Sequence, residues 1–373
     1  MLLVGCTLLV RSFARLLDVD PGFNPGHAVA VGLQLPAQKY PDEADRVRFQ
    51  TMLIDQLAAR PGVTAVAVSQ SLPLGGSDFV ASLEFEGRPT SKADRPSANV
   101  YAVSPGFFRA MGIRVVRGRT IEDRDRAGAP RVVVVNETFV RQFYQGSDPI
   151  GQRILVTQGV DQLREIVGIV ADTKHYALSA ETRAQVYESY QQQPFSSVEV
   201  IVRTAGDPLS IASAVRESVR GMDPDQPIGR IRTLESLVDL SLGSQRFSLA
   251  LFSAFAGVAL LLASVGLYGL VAYTVSQRTP EIGLRLALGA RPSDVVALVV
   301  RQGLVLGAIG TGIGLVAAFA AARLMTSLLF ETSPNDAATY VAVPIVLLAV
   351  IALASLIPAR RASRVDPVAT LRP

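Results

Sequence analysis

Residues 247–277 read FSLALFSAFAGVALLLASVGLYGLVAYTVSQ, thirty-one residues without one charge between Arg246 and Arg278. A helix needs about 20 apolar residues to cross the hydrocarbon core of a bilayer, so this run contains a membrane span, set at about 247–275. Further along the chain, residues 302–322 and 337–359 are also uncharged, the first between Arg301 and Arg323 and the second between Asp336 and Arg360. Each is long enough to span. Three runs bracketed by charges do not suit the buried helices of a soluble protein.

The whole composition agrees. In 373 residues, 49% are hydrophobic and 18% charged, with a mean hydropathy of +0.33, which excludes a wholly soluble enzyme and a disordered chain. A single cysteine, Cys6, closes no intramolecular bridge, so a disulfide scaffold is excluded too. The net charge is +4, and apart from Lys39, Lys92 and Lys174 it comes from arginines spread along the chain. That distribution points to membrane topology, with the lipid bilayer as partner and no nucleic acid.

Arginine sets the orientation, because positive charge near span ends is retained in the cytoplasm. Arg278, Arg285, Arg291 and Arg301 follow the first span, and Arg360, Arg361, Arg364 and Arg372 follow the third. The connector between the second and third spans holds Arg323 against Glu331 and Asp336. The 278–301 loop and the C-terminal tail are therefore cytoplasmic, and the large segment before Arg246 is extracytoplasmic. The opening MLLVGCTLLV gives ten residues before Arg11, about 15 Å of helix and half a span. It reads as the tail of a truncated spanning helix in a longer protein. A signal peptide would need a basic n-region, and a lipobox at Leu3–Cys6 would need a hydrophobic stretch before it.

Between Phe23 and about Leu240 the pattern changes to short β-rich runs and polar helices. Strands are expected at 28–35, 64–70, 80–86, 97–103, 131–135, 165–171, 184–188, 198–203 and 228–232. Helices are expected across Asp42–Arg60, Pro105–Met111, Glu137–Tyr144 and Pro208–Gly221. The fold expected is a membrane protein: an α-helical bundle of three complete spans plus the truncated one, with an α+β extracytoplasmic domain of two subdomains. The divisions are 1–19, 20–240 and 241–373. The Leu234–Arg246 stretch reads as one helix continuing into the first span, a rigid stalk whose partner would carry Arg11, Arg15 and Asp18.

Catalytic signals are sparse. His27 and His175 are too far apart for a local metal site, and His175 reads as an exposed turn residue. The run Glu122-Asp123-Arg124-Asp125-Arg126 mixes both signs and reads as a solvated loop. The sequence has neither a G-x-S-x-G elbow nor a Walker A motif, so no catalytic, cofactor-binding or metal residues are assigned. ATP would be bound by a partner.

After the first span comes Arg278-Thr279-Pro280-Glu281-Ile282-Gly283-Leu284-Arg285-Leu286-Ala287-Leu288-Gly289-Ala290. This is a short helix at about 279–289, with Thr279 as cap, Pro280 at its first position, Glu281 at the positive dipole end and Gly289 as its stop. Its apolar residues fall on more than one face and call for a cover, from span ends, a partner protein or lipid headgroups. The run resembles the R-x-x-E-I-G-x-x-x-A-x-G-A stretch of the FtsX/MacB family of ABC-transporter permeases. The close, Pro358 to Arg372 with Arg360, Arg361, Asp366 and Pro367, resembles that family's ending. Val135-Asn136-Glu137 through Phe139, then Asp148-Pro149-Ile150-Gly151, is similar to the MacB-type periplasmic core. Val19-Asp20-Pro21-Gly22-Phe23 is similar to the start of that core in long duplicated permeases of acidobacterial type, so the chain resembles their C-terminal half.

The resemblance implies a MacB-like periplasmic core at 20–240 and an FtsX-like permease domain at 241–373, in a bacterial inner membrane. It implies a coupling helix, with Arg278, Glu281, Ile282, Gly283, Arg285, Gly289 and Ala290 contacting a separate ATPase subunit. The other implied partners are a second permease half, upstream in the same chain or in a homodimer, and a periplasmic adaptor. Motion would pass through the spans to the outer domain for export or efflux; an FtsX-like regulator of a cell-envelope hydrolase is the alternative. The complete spans hold no Asp, Glu, Lys, Arg or His, which suits transmission of motion better than a polar route for substrate. Gly303-x-x-x-Gly307 and Gly310-x-x-x-Gly314 on the second span are expected to let another helix approach closely.

Overall fold

In the computed structural model the chain divides into two compact units, residues 19–243 and residues 1–18 with 244–373. The structure describes residues 1–76, 79–88, 90–157, 162–322, 330, 332–333 and 335–363. Helix α1 (Leu2–Leu17) opens the chain and belongs to the second of these units.

The 19–243 unit runs β1 (Ala28–Gln34), α2 (Glu43–Ala58), β2 (Val63–Ser69), β3 (Val80–Phe85), β4 (Ser97–Val103), α3 (Phe107–Met111), β5 (Val115–Gly118), β6 (Val132–Asn136) and α4 (Glu137–Phe143). It continues through β7 (Arg153–Val156), β8 (Leu163–Val170), β9 (Gln185–Ser189), β10 (Ser197–Thr204), α5 (Ala212–Met222), β11 (Ile228–Thr233) and α6 (Leu234–Ser241). Every expected strand and helix of this unit is present. β5 and β7 are additional; each is four residues long, too short for an alternation to stand out in sequence.

The strands follow the order β11-β1-β10-β2-β4-β3-β7-β8-β6-β9, and β9 returns to pair in parallel with β4. Strands β4, β3, β7, β8, β6 and β9 therefore close a ring, joined to the open sheet β11-β1-β10-β2 by the pairing of Ser69 with Val103. Two cores follow from the two curvatures. In the open sheet, Val29, Val31, Val66, Val68, Val200 and Val202 meet Leu53 and Leu57 of α2 and Val215 and Val219 of α5. Inside the ring, Leu83, Phe85, Val100, Val133, Val135, Ile154, Ile166 and Val186 pack with Phe139 of α4. Alternating burial along β3 and β8 is the signature of strands with one face inside.

The family-like motifs of this unit are structural joints. Asn136 caps α4 by accepting from Phe139 N at 3.0 Å and also accepts from Gln185 N at 2.9 Å, while its amide donates to Asp172 at 2.7 Å. Asp172 further accepts from Thr138 N and Arg141, both at 2.8 Å. One asparagine thus ties β6, α4, β8's end and β9. Gly22 adopts φ +80°, and a Cβ there would collide with the Asp172 and Thr173 backbone, so a side chain is excluded.

Two sequence expectations need correction here. His175 is 7% exposed, its ring 4.5 Å from that of Tyr101. Asp125 is also buried: it accepts from Arg119 at 2.6 and 2.9 Å and from Glu122 N at 2.8 Å. Local sequence polarity gave no sign of the tertiary partners that make such burial tolerable.

The other unit contains α7 (Gly243–Gln277), α8 (Thr279–Ala287), α9 (Pro292–Ala322) and α10 (Ala337–Ala362). Three of these helices, α7, α9 and α10, are long and apolar enough to cross a membrane. Helix α1 packs Val4 and Leu8 against Ala318, Ala322 and Val343. Its Arg11 pairs with Asp336 at 2.5 Å and Arg15 donates to Thr332 at 3.3 Å. Those arginines, both on α1, fasten it to the segment before α10. The stalk itself is not one helix: α6 ends at Ser241 and α7 begins at Gly243, after Leu242 N bonds back to Asp239 O at 3.2 Å. Glycine is a weak helix former and suits the break.

Candidate functional site: the α8 helix and its surroundings

Helix α8 is built for a short, fixed length. Arg278 is its N-cap, and Thr279 and Pro280 are its first two residues. The Thr279 hydroxyl donates backward to Val275 O at 3.1 Å and Ser276 O at 2.9 Å, so it closes α7 and does not cap α8 as expected from sequence. At the other end Gly289 has φ +97°. Gly289 N bonds Leu286 O at 3.1 Å and Ala290 N bonds Arg285 O at 3.0 Å. This paired pattern is a Schellman stop, whose left-handed residue favours glycine.

The helix has two different sides. Ile282 is 6% exposed and packs on Val295 of α9, with Val275 and Leu286 beside it, and Gly283 is buried. Leu284 and Leu288, one turn apart, are 49% and 80% exposed. Glu281 and Arg285 form an ion pair at 2.6 Å, each about half exposed. Exposed pairs of this spacing contribute only about 0.3–0.5 kcal/mol, so burial of Ile282 does more than the ion pair to hold the helix. A cavity of about 100 Å³ lies under it, lined by Val271, Thr274, Arg278, Glu281, Ile282 and Gln302 among others.

Helix α9 starts at Pro292, with Arg301 inside it. The 278–301 connector is therefore α8, a short turn and the first turns of α9, since the end of an uncharged run marks a change of polarity and not the end of a helix. A Cβ on Gly303 would press on Ser355 and one on Gly307 on Ile351, so these two glycines seat α10 against α9. Gly310 and Gly314 have nothing within 4 Å of such a Cβ. No described part of this chain packs closely on them; they line a cavity of about 280 Å³ with Leu260, Leu267 and Leu347. At the end of α10, Arg360 and Arg361 are exposed, and Arg361 donates to Tyr268 OH at 3.1 Å. Asp366 and Pro367 lie outside the described residues. None of Asn136, Asp172 or the ring topology carried a chemical signal in sequence beyond the N-E motif itself.

A helical unit with three span-length apolar helices, a short exposed-faced helix after the first of them, and a separate α+β unit define a membrane protein with an extracytoplasmic domain. Comparison with known proteins makes the class specific. The MacB-like periplasmic core domain family matches residues 10–220, and the FtsX-like permease C-terminal family matches residues 253–367. The chain belongs to the FtsX/MacB family of ABC-transporter permeases. It is 29% identical over 287 residues to the macrolide export ATP-binding/permease protein MacB of Hahella chejuensis, covering 74% of this chain and 43% of that protein. It is 21% identical to the ABC transporter permease YknZ of Bacillus subtilis, covering 97% of this chain and 95% of that protein. The chain thus spans less than half the length of the first relative and nearly all of the second. The crystal structure of the periplasmic region of MacB from Actinobacillus actinomycetemcomitans aligns with a TM-score of 0.42 and 13% identity, over 61% of this chain and 98% of that one.

Proposed function

We propose that this chain is the permease subunit of an ABC transporter of a bacterial inner membrane, receiving motion from a separate ATPase subunit through α8 and delivering it to the extracytoplasmic unit. ATP binding and hydrolysis belong to the partner, and a second permease half completes the assembly. The observation that carries this reading is α8 itself. One side is anchored by Ile282 and stopped by Gly289, while Leu284, Leu288 and the Glu281–Arg285 pair are presented outward. An apolar patch rimmed by charge fits a protein groove. The absence of acidic or basic residues from 247–275, 302–322 and 337–359 supports transmission of motion over a charged transport route. Export is the direction that the names of the MacB relatives suggest.

The test is reconstitution of the full chain in lipid nanodiscs with ABC ATPases of its own genome. Binding of one of them, with its ATP turnover altered by the permease, is the expected result. Indifference to every such ATPase, or labelling that places residue 284 outside the cell, overturns the reading.

A further inference from the structure

In the 19–243 unit, β4 pairs with β3 as far back as Ser97, but with β9 only from Asn99 onward. Asn99 N donates to Ala184 O at 2.9 Å, and the chain before residue 184 then diverges from β4. In the antiparallel register with β3, Val100 N reaches Phe79 O and Leu83 N reaches Pro96 O. The intervening alternation turns the backbone groups of Ser97 toward the β9 side, where no strand accompanies them among the described residues. The gap is a polar basin of about 620 Å³, within the range of ligand clefts.

Three features of its wall belong together. Arg183 lies over the Tyr176 ring at 4.4 Å, and its Nη1 donates to Tyr176 OH at 3.0 Å. Asn99, 2% exposed, donates to the same hydroxyl at 2.9 Å, so the stack is held from both sides. Arg183 has no carboxylate partner among the described residues, whereas Arg95, Arg117, Arg119, Arg141, Arg153 and Arg164 of the same unit each pair with one. Val80, next to Asn99 in the ladder, is 52% exposed and gives the basin an apolar wall.

We propose that this basin captures an extended peptide end, its terminal carboxylate on Arg183, its backbone along Ser97 and an apolar side chain on Val80. A fixed guanidinium with donors to spare matches a carboxylate, and an unpaired strand edge matches peptide backbone. Glu181 lies on the rim and opposes the carboxylate.

The probe is Ala-Val-Ala-Val with a fluorophore on its N-terminal amine, as free acid and as C-terminal amide, titrated into the full chain in nanodiscs with empty nanodiscs as control. The free acid binds saturably below about 1 mM, and the amide at least about tenfold more weakly. Arg183→Gln abolishes that preference, Arg183→Lys retains part of it, and Glu181→Gln tightens the acid. Sodium acetate competes far more weakly than the peptide. Absence of saturable binding, equal binding of acid and amide, or acetate competing as well as the peptide overturns the proposal. The acid and amide comparison needs no substitution, so it stands even if a variant misfolds.

Discussion

Arg164 Nε lies 2.9 Å from a carboxylate oxygen of Glu188, and the two side chains are 1% and 3% exposed. Arg164 also donates to Val156 O and Gln162 O at 3.1 Å each. The pair lies in the β-ring, where Glu188 stands opposite Val133 in the ladder. Removing one partner leaves a buried charge uncompensated. Glu188→Ala or Arg164→Ala should therefore lower the stability of this unit by about 3–5 kcal/mol, whereas a double change to Met at both positions should recover most of the loss. Thermal unfolding followed by tyrosine fluorescence decides it, and additive losses would contradict the pairing.

The two glycine pairs of α9 should differ in their sensitivity to substitution. Gly307→Val drives a side chain into Ile351 and should destabilise the helical unit by about 1–3 kcal/mol. Ile351→Ala should relieve that effect. Gly310→Ala meets open space and should stay within about 0.5 kcal/mol of the parent. Unfolding in mixed micelles separates the outcomes.

On α8, partner binding and folding should come apart. Leu284→Asp and Glu281→Lys alter exposed positions and should leave stability nearly unchanged while weakening ATPase association in a pull-down. Ile282→Ala removes the anchor and should lower stability as well. Gly289→Ala places a Cβ at φ +97° and should cost about 1–2 kcal/mol. Unaltered ATPase association in Leu284→Asp and Glu281→Lys together would contradict the assignment of this face.

Asp223 supplies a pH dependence of known sign. Its side chain is 2% exposed, pairs with Lys39 and accepts from Tyr40 OH at 2.8 Å. The Lys39 and Tyr40 hydrogen bonds hold its carboxyl below the ordinary carboxylate range. The stability it contributes is thus present above the unfolded-state value and lost as pH falls through the depressed one. Asp223→Asn should lower the melting temperature at neutral pH and flatten its fall in acid. An unchanged slope would show that other groups dominate.

Much of this protein was legible one residue at a time. The uncharged runs, the arginines that bracket them and the Pro280-to-Gly289 helix are local signals, because membrane insertion and helix capping depend on neighbours a few residues away. The strands of the outer unit were legible for the same reason. What sequence could not contain was pairing across distance: β9 returning to β4 to close a ring, Glu188 meeting Arg164, and Arg183 standing in a basin where two strands part. The same holds for Gly307 and Gly310, one turn apart on α9, of which only the first touches α10. Local chemistry sets which segments become helix, strand or span. The partner each face meets is decided by packing among residues far apart in the chain, and with it whether a charge is tolerated, a glycine required or a cavity left open.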